Sequence, residues 1–225
     1  MMNERLWGIL VNSFPKLLEY GVKVTVPLTI YSFLLALAIA VIVAMIQYAD
    51  VKLLLPVCRF YIWLIRGTPL LVQLYLVFYG LPSVGVVLDA FPTAILVFGF
   101  NEGAYMAETS RGALESVSVG QMEAGYCVGL NYIQTMRHVV LPQAFRTAFP
   151  ALSNSLISMV KGTSLASTIT VREMLAEAKV INGRVLETGG LYVEVAVIYL
   201  AFCTLLTWLQ HVLERRLARR GGVVK

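Results

Sequence analysis

The chain has 225 residues, of which 58% are hydrophobic and only 14% charged, with a formal net charge of +5. A soluble globular domain carries about a quarter charged residues, so this composition excludes an ordinary water-soluble protein and points to one bundle embedded in a bilayer. Five of the basic residues, Arg215, Arg216, Arg219, Arg220 and Lys225, lie in the last eleven positions. Such a cluster fits the cytoplasmic flank of a membrane helix better than a nucleic-acid contact.

Near the N-terminus Trp7, Leu10, Val11, Phe14, Leu17 and Leu18 recur at three- and four-residue spacing. The pattern predicts an amphipathic helix over residues 1–20 lying in the membrane interface. The first long apolar run begins near Val22, with no basic leader or small-residue cleavage site before it, and reads as an uncleaved anchor. A bilayer core takes about 20 apolar residues in helix. Five stretches meet that, at about 24–46, 53–79, 84–107, 149–166 and 191–210, the second interrupted by "RGTP". The expectation is therefore an all-α membrane protein, a single domain whose five transmembrane helices fill a core of about 24–212. A polar loop at 111–147 and a tail at 213–225 lie outside the bilayer. Residues 171–190 hold balanced charges and end in "ETGG", which predicts an exposed loop with a short helix over "VREMLAEAKVI".

Lys and Arg set the orientation. With the tail inside, the inner side holds Lys52, Arg59, Arg111, Arg137, Arg146 and the five tail residues, ten in all, against six outside (Arg5, Lys16, Lys23, Arg172, Lys179, Arg184). The N-terminus is then outside, and the C-terminus and the 111–147 loop are cytoplasmic. The three cysteines and two histidines are dispersed, a spacing that gives neither a disulfide framework nor a metal site. No G-x-x-x-x-G-K-[ST] phosphate loop is present, so the chain is not expected to be an enzyme or to bind ATP itself.

Ionisable groups inside a membrane are costly and mark a pathway or a partner. Arg66 lies beside Gly67-Thr68-Pro69, where a kink exposes backbone carbonyls; it serves either a structural tie or substrate. Glu102, in the third span, serves either a pathway or a pair with Arg66. Glu108 and Arg111, three apart, read as a local ion pair. Helical spacing puts Asn154, Ser158 and Lys161 on one face of the fourth span, read as pathway lining with close helix packing as the alternative. Glu102 and Lys161 offer one charge of each sign, which suits a zwitterion.

Glu123-Ala124-Gly125 is followed by three residues, Gly129, nine residues, and Val139-Val140-Leu141-Pro142. This resembles the EAA signature of the membrane permease subunits of ATP-binding-cassette (ABC) importers, with Gly125 for Ala and Val139 for Ile. Small residues on a short helix can enter a groove, Gly129 can reverse the chain in a left-handed turn, Pro142 can open the next helix, and Glu123 near a helix start suits the macrodipole. "YIWLIRGTPLLVQLYLVFYGLP" (61–82), "NEGAYMAETSRGAL" (101–114), "SNSLISMVKGTSLAS" (153–167) and "VREML" (171–175) resemble the polar amino acid branch. The likeness runs over about 20–212. "LPSVGVVLDAFPTA" and "AKVINGRVLETGGLY" lean toward cystine permeases. The chain departs from that pattern at Gly162, where the family has Asp after the Lys.

The resemblance implies a type I ABC importer permease fold with a cytoplasmic coupling helix. Glu123, Ala124, Gly125, Gly129, Leu141 and Pro142 would meet the ATPase. It also implies two ATPase subunits that bind ATP and Mg, a second permease subunit, identical or homologous, and an extracytoplasmic amino acid-binding protein, with no cofactor in this chain. The product would be ATP-coupled uptake of a polar amino acid across a bacterial inner membrane. An ion-coupled secondary transporter, which would normally have more helices or inverted repeats, and a non-transporting scaffold are the competing readings.

Overall fold

The structure, a computed structural model, describes residues 2–220. Among them every regular element is helical, in the order α1 (Met2–Tyr20), α2 (Val26–Tyr48), α3 (Leu55–Arg66), α4 (Leu70–Tyr75), α5 (Ala90–Glu115), α6 (Val119–Cys127), α7 (Tyr132–Thr135), α8 (Leu141–Gly162), α9 (Met174–Val185) and α10 (Thr188–Arg220).

Three of the junctions are π-type turns, at Gly21–Thr25, Leu76–Gly80 and Met136–Val140. Each ends two residues before a proline: Pro27, Pro82 and Pro142. Proline has no N–H to give the carbonyl four residues back, and its ring crowds that carbonyl. Widening the preceding turn relieves both problems. The Val26 N–H accordingly reaches Gly21 O and the Leu141 N–H reaches Met136 O, each five residues back. Pro15 and Pro150 sit inside α1 and α8 without such a turn.

The first consequence is that α1 is not a separate helix. It runs unbroken through the first π turn into α2, giving a helical run from Met2 to Tyr48. Its apolar stripe also divides. Leu17 is buried, whereas Trp7, Val11, Phe14 and Leu18 are exposed. The second consequence is that Pro142 does not open a new helix, because the chain is helical without interruption from Tyr132 to Gly162.

The chain forms two compact units. One holds the residues up to Leu35 with Thr68–Gly99 and Leu156–Thr207; the other holds Ala36–Gly67, Phe100–Ser155 and the residues from Trp208. The first unit has two apolar clusters, one around Leu28, Leu74, Phe98 and Ile169, the other around Leu17, Met174, Ala178, Val195 and Ile198. The second centres on Ala44, Leu114, Met136, Val140 and Ala144. There Gly103 lets α5 approach closely: a Cβ on it would lie 3.0 Å from Ile39 and 3.2 Å from the Tyr61 hydroxyl.

Stretch 171–190 is not an exposed loop. Most of it is α9, with Met174 and Ala178 in the core and Glu173 and Glu177 buried. Among the described residues two helical runs are long and apolar enough to cross a membrane, Glu4–Tyr48 and Thr188–Leu217, or three if the broken pair Leu55–Arg66 and Leu70–Val84 counts as one. α5 and α8 overlap the third and fourth expected spans with shifted ends, and Asn101, Glu102, Asn154 and Lys161 dilute their apolarity.

Candidate coupling element and polar helix face

The signature residues form a compact hairpin. α6 ends at Cys127, and the chain reverses through Gly129, whose φ of 82° is a left-handed conformation that glycine adopts without steric cost. Backbone bonds from Gly129 N to Tyr126 O and from Leu130 N to Gly125 O, both 3.0 Å, close the reversal. α7 then starts on a reciprocal cap: the Asn131 side chain accepts from Gln134 N, and the Gln134 side chain accepts from Asn131 N, each at 2.9 Å. The Asn-x-x-Gln spacing of this cap was readable in the sequence.

Gly125 is the seat of the hairpin. It is buried, and a Cβ there would lie 2.5 Å from Thr135 Cγ2 and 2.7 Å from its Oγ1. Thr135 is itself fully buried and held by a bond from Oγ1 to Asn131 O at 2.9 Å. The glycine that replaces the signature's alanine thus matches a close helix contact. Two expectations are corrected here. Gly125 faces inward, so it is not part of a smooth outer face with Ala124. Instead Gly120, Glu123, Ala124 and Cys127, at helical spacing, are all exposed. Glu123 is also the fifth residue of α6 rather than a member of its first turn, so the macrodipole contributes little to it. Gln143 Nε2 donates to Gln121 Oε1 at 3.1 Å, fastening α6 to α8, and Leu141 and Pro142 are exposed beside it.

The charged residues of the second unit gather on Glu108, not Glu102. Glu108 accepts from Arg111 at 3.1 Å and from Gln47 at 3.2 Å, and Arg66 Nη1 lies 3.8 Å away. Arg111 also grips both carboxylate oxygens of Glu115 at 2.7 Å. The expected Glu108–Arg111 pair is present and belongs to a larger network. Arg66 lies over the Tyr105 ring, 5.1 Å from its centre, a cation–π contact. Arg66 is thus taken up by Glu108 and the Tyr105 ring rather than by Glu102. At the break after Arg66, Gln73 supplies what the interrupted helix lacks: its amide donates to Thr68 O at 3.2 Å and to Thr68 Oγ1 at 2.7 Å.

Asn154, Ser158 and Lys161 are exposed positions of α8, while Leu152, Met159 and Val160 are buried. Lys161 occupies the last turn of the helix, where a cation is favoured by the carbonyl ends. A Cβ on Gly162 would meet nothing within 4 Å. Space does not demand a glycine at that position.

A polar group that the sequence reading missed is Glu173. It caps α9 by accepting from Ala176 N at 2.8 Å, and its other oxygen accepts from the Tyr199 hydroxyl at 2.7 Å. An acid just before the apolar-periodic run "MLAEAKVI" was the available signal.

Comparison with known proteins decides the family. Residues 36–219 match the binding-protein-dependent transport system inner membrane component family. The chain belongs to that family. Among its relatives, the L-cystine transport system permease protein TcyB of Bacillus subtilis is 45% identical over 95% of this chain and 92% of its own length. The probable amino-acid ABC transporter permease protein YckA of the same organism is 36% identical over 97% and 99%. A chain of an amino acid ABC transporter crystallised with histidines superposes with a TM-score of 0.84 at 30% identity, over 92% of this chain and 96% of that one. The MetNI methionine ABC transporter shares the fold, with a TM-score of 0.74 at 19% identity. The protein is thus an inner membrane transport component with the fold of ABC transporter membrane subunits, as the EAA-like spacing implied.

Proposed function

We propose that the chain is the permease subunit of an ABC importer that carries a polar amino acid, cystine foremost, into the cytoplasm. It would work with two ATPase subunits that bind ATP and Mg, a second permease subunit and an extracytoplasmic binding protein. In this reading the chain has five spans, the third and fourth on α5 and α8, with the N-terminus outside and the α6–α7 hairpin in the cytoplasm, as the Lys and Arg distribution favours. The observation that carries the reading is that hairpin. A short helix is braced by Gly125 on Thr135 and presents Glu123, Ala124 and two small neighbours to solvent, a shape suited to the groove of a partner. Identity to TcyB supports the substrate class. The polar residues Asn154, Ser158 and Lys161 on α8 line the pathway in this reading. Glu102 and Arg66, the latter held at Glu108, serve either the same pathway or its support.

Coupling is tested by co-expressing the chain with its ATPase and weighing the intact purified complex. Glu123→Ala and Gly129→Val should leave the chain inserted but reduce ATPase recovery or its stimulation by loaded binding protein. Full recovery and stimulation in both variants would remove the hairpin from the coupling role. Orientation is tested in right-side-out vesicles: a cysteine near Gly189 should react with an impermeant thiol reagent and one after Lys225 should not. The reverse pattern rejects the topology.

A further inference from the structure

The second unit holds a cavity of about 420 Å³ where the ends of α2 and α5 meet α3. That volume falls among small-molecule sites, about 300–1,000 Å³. Asp50 lines it from the turn after α2, Arg59 and Trp63 from one face of α3, and Glu108, Arg111 and Glu115 from one face of α5. The three α5 charges are already committed, because Arg111 grips both Glu108 and Glu115. Asp50 and Arg59 differ: neither side chain has a hydrogen bond or ion pair among the described residues. The turn that brings them together is tight, closed by bonds from Val51 N to Ile46 O at 3.2 Å and from Leu55 N to Val51 O at 3.0 Å. Arg59 stands one helical turn beyond Leu55, and both charges line the same hollow.

The lining sets the charge of the ligand. Three carboxylates face two guanidiniums, and Arg66, 3.8 Å from Glu108, brings the total to zero. An anion would meet the carboxylates, and a simple cation would leave Arg59 unanswered. A zwitterion answers both charges: its carboxylate takes the forked guanidinium of Arg59, and its ammonium takes the Asp50 carboxylate. Leu55, Ile62 and Trp63, the last 70% exposed, leave an apolar strip for a side chain. The α8 residues assigned to the pathway do not line this cavity. It adjoins the hairpin instead. Ala44 and Tyr48 of α2 and Leu114 of α5 pack in one apolar cluster with Met122 of α6 and with Met136 and Val140. The helix ends that wall the cavity therefore rest on the element read as the coupling device.

We propose that this cavity is a regulatory site for a free zwitterionic amino acid, and that its occupancy slows transport by tying α3 to the ends of α2 and α5. A ligand shifts an equilibrium only by binding one arrangement better than another. Here the favoured arrangement is the one in which Asp50 and Arg59 share a hollow. The regulatory part rests on the proposed transport function, under which this side is the cytoplasm and the ligand is accumulated amino acid.

Binding is tested on the full chain in lipid nanodiscs, with Trp7→Phe and Trp208→Phe so that Trp63 is the one tryptophan left of three. L-Leucine and L-serine should each change Trp63 emission saturably, leucine at the lower concentration. Leucine methyl ester and N-acetylleucine, each short of one charge, should need about tenfold more. Arg59→Gln and Asp50→Asn should each raise the half-saturating concentration of leucine about tenfold. Arg59→Lys should raise it less, and Lys161→Met should leave it unchanged. The absence of a saturable response, a response that Arg59→Gln and Asp50→Asn both keep, or equal binding of the ester and the acetyl compound overturns the site. Regulation is tested in proteoliposomes that hold the full complex, with ATP and leucine inside. Internal leucine should slow the initial uptake of labelled cystine several-fold in the parent but not in Arg59→Gln or Asp50→Asn. Without leucine, both variants should match the parent. Uptake that internal leucine does not slow in the parent overturns the regulatory role. Uptake that never requires ATP rejects the transport reading instead, and the Trp63 titration still decides the site.

Discussion

Gly125 shows how one atom decides the shape of the coupling hairpin. Family resemblance reads the residue as a conservative replacement for alanine, whereas the structure gives the replacement a cause, since Thr135 fills the space that a methyl group would take. Gly125→Ala should therefore destabilise the hairpin, by about 1–3 kcal/mol if the contact cannot relax. Thr135→Ala in the same chain should recover most of that loss. Protease accessibility of residues 119–135, measured on the two single variants and the double, gives the coupling between the positions. Additive effects would mean that the two side chains do not compete for space. Arg66 and Glu102 teach the opposite lesson. Their charges were legible in the sequence as costly, but their partners were not. A choice among Glu102, Glu108 and a carbonyl depends on rotation about helices that a spacing rule cannot fix.

At the scale of elements, prolines rather than hydropathy explain where the expected boundaries failed. A window that looks for apolar residues ends the N-terminal stripe before Val24 and begins the fourth span near residue 149. It cannot see that a π turn carries a helix across Pro27 or Pro142 without a break. The short helix expected over "VREMLAEAKVI" is there as α9, but the same window misses its burial, because Glu173 and Glu177 beside Met174 and Ala178 average to a polar segment. Only the Glu173 cap and the Tyr199 hydroxyl make burial of that first acid acceptable. By contrast, the existence of the helices over 24–46, 84–107 and 191–210 was plain from composition, because apolar runs of that length have few alternatives. A specific outcome follows for the π turn of the hairpin. Pro142→Ala restores an N–H opposite His138 O, so Met136–Val140 should tighten to ordinary helix and rotate α7 relative to α8. Hydrogen exchange at residue 142 should then show protection in the variant comparable to that of its α8 neighbours. A fast-exchanging amide at 142 would mean that the wide turn has another cause.

The whole molecule joins a membrane-spanning body to a small polar hairpin, and family membership covers both, since the match extends over residues 36–219. What the family does not supply is the energy source and the cargo of this particular chain. A secondary transporter would draw on an ion gradient, and a scaffold would move nothing. An ABC permease must fail without nucleotide on the side of the α6–α7 hairpin. The most direct measurement is uptake of labelled cystine into proteoliposomes that contain the chain, its ATPase partner and the extracytoplasmic binding protein, with and without ATP inside. The account predicts uptake that requires internal ATP and binding protein, that neutral amino acids compete more strongly than basic ones, and that Glu123→Ala abolishes while the chain stays inserted. Uptake that proceeds without ATP under an imposed ion gradient, or that Glu123→Ala leaves unchanged, would contradict it.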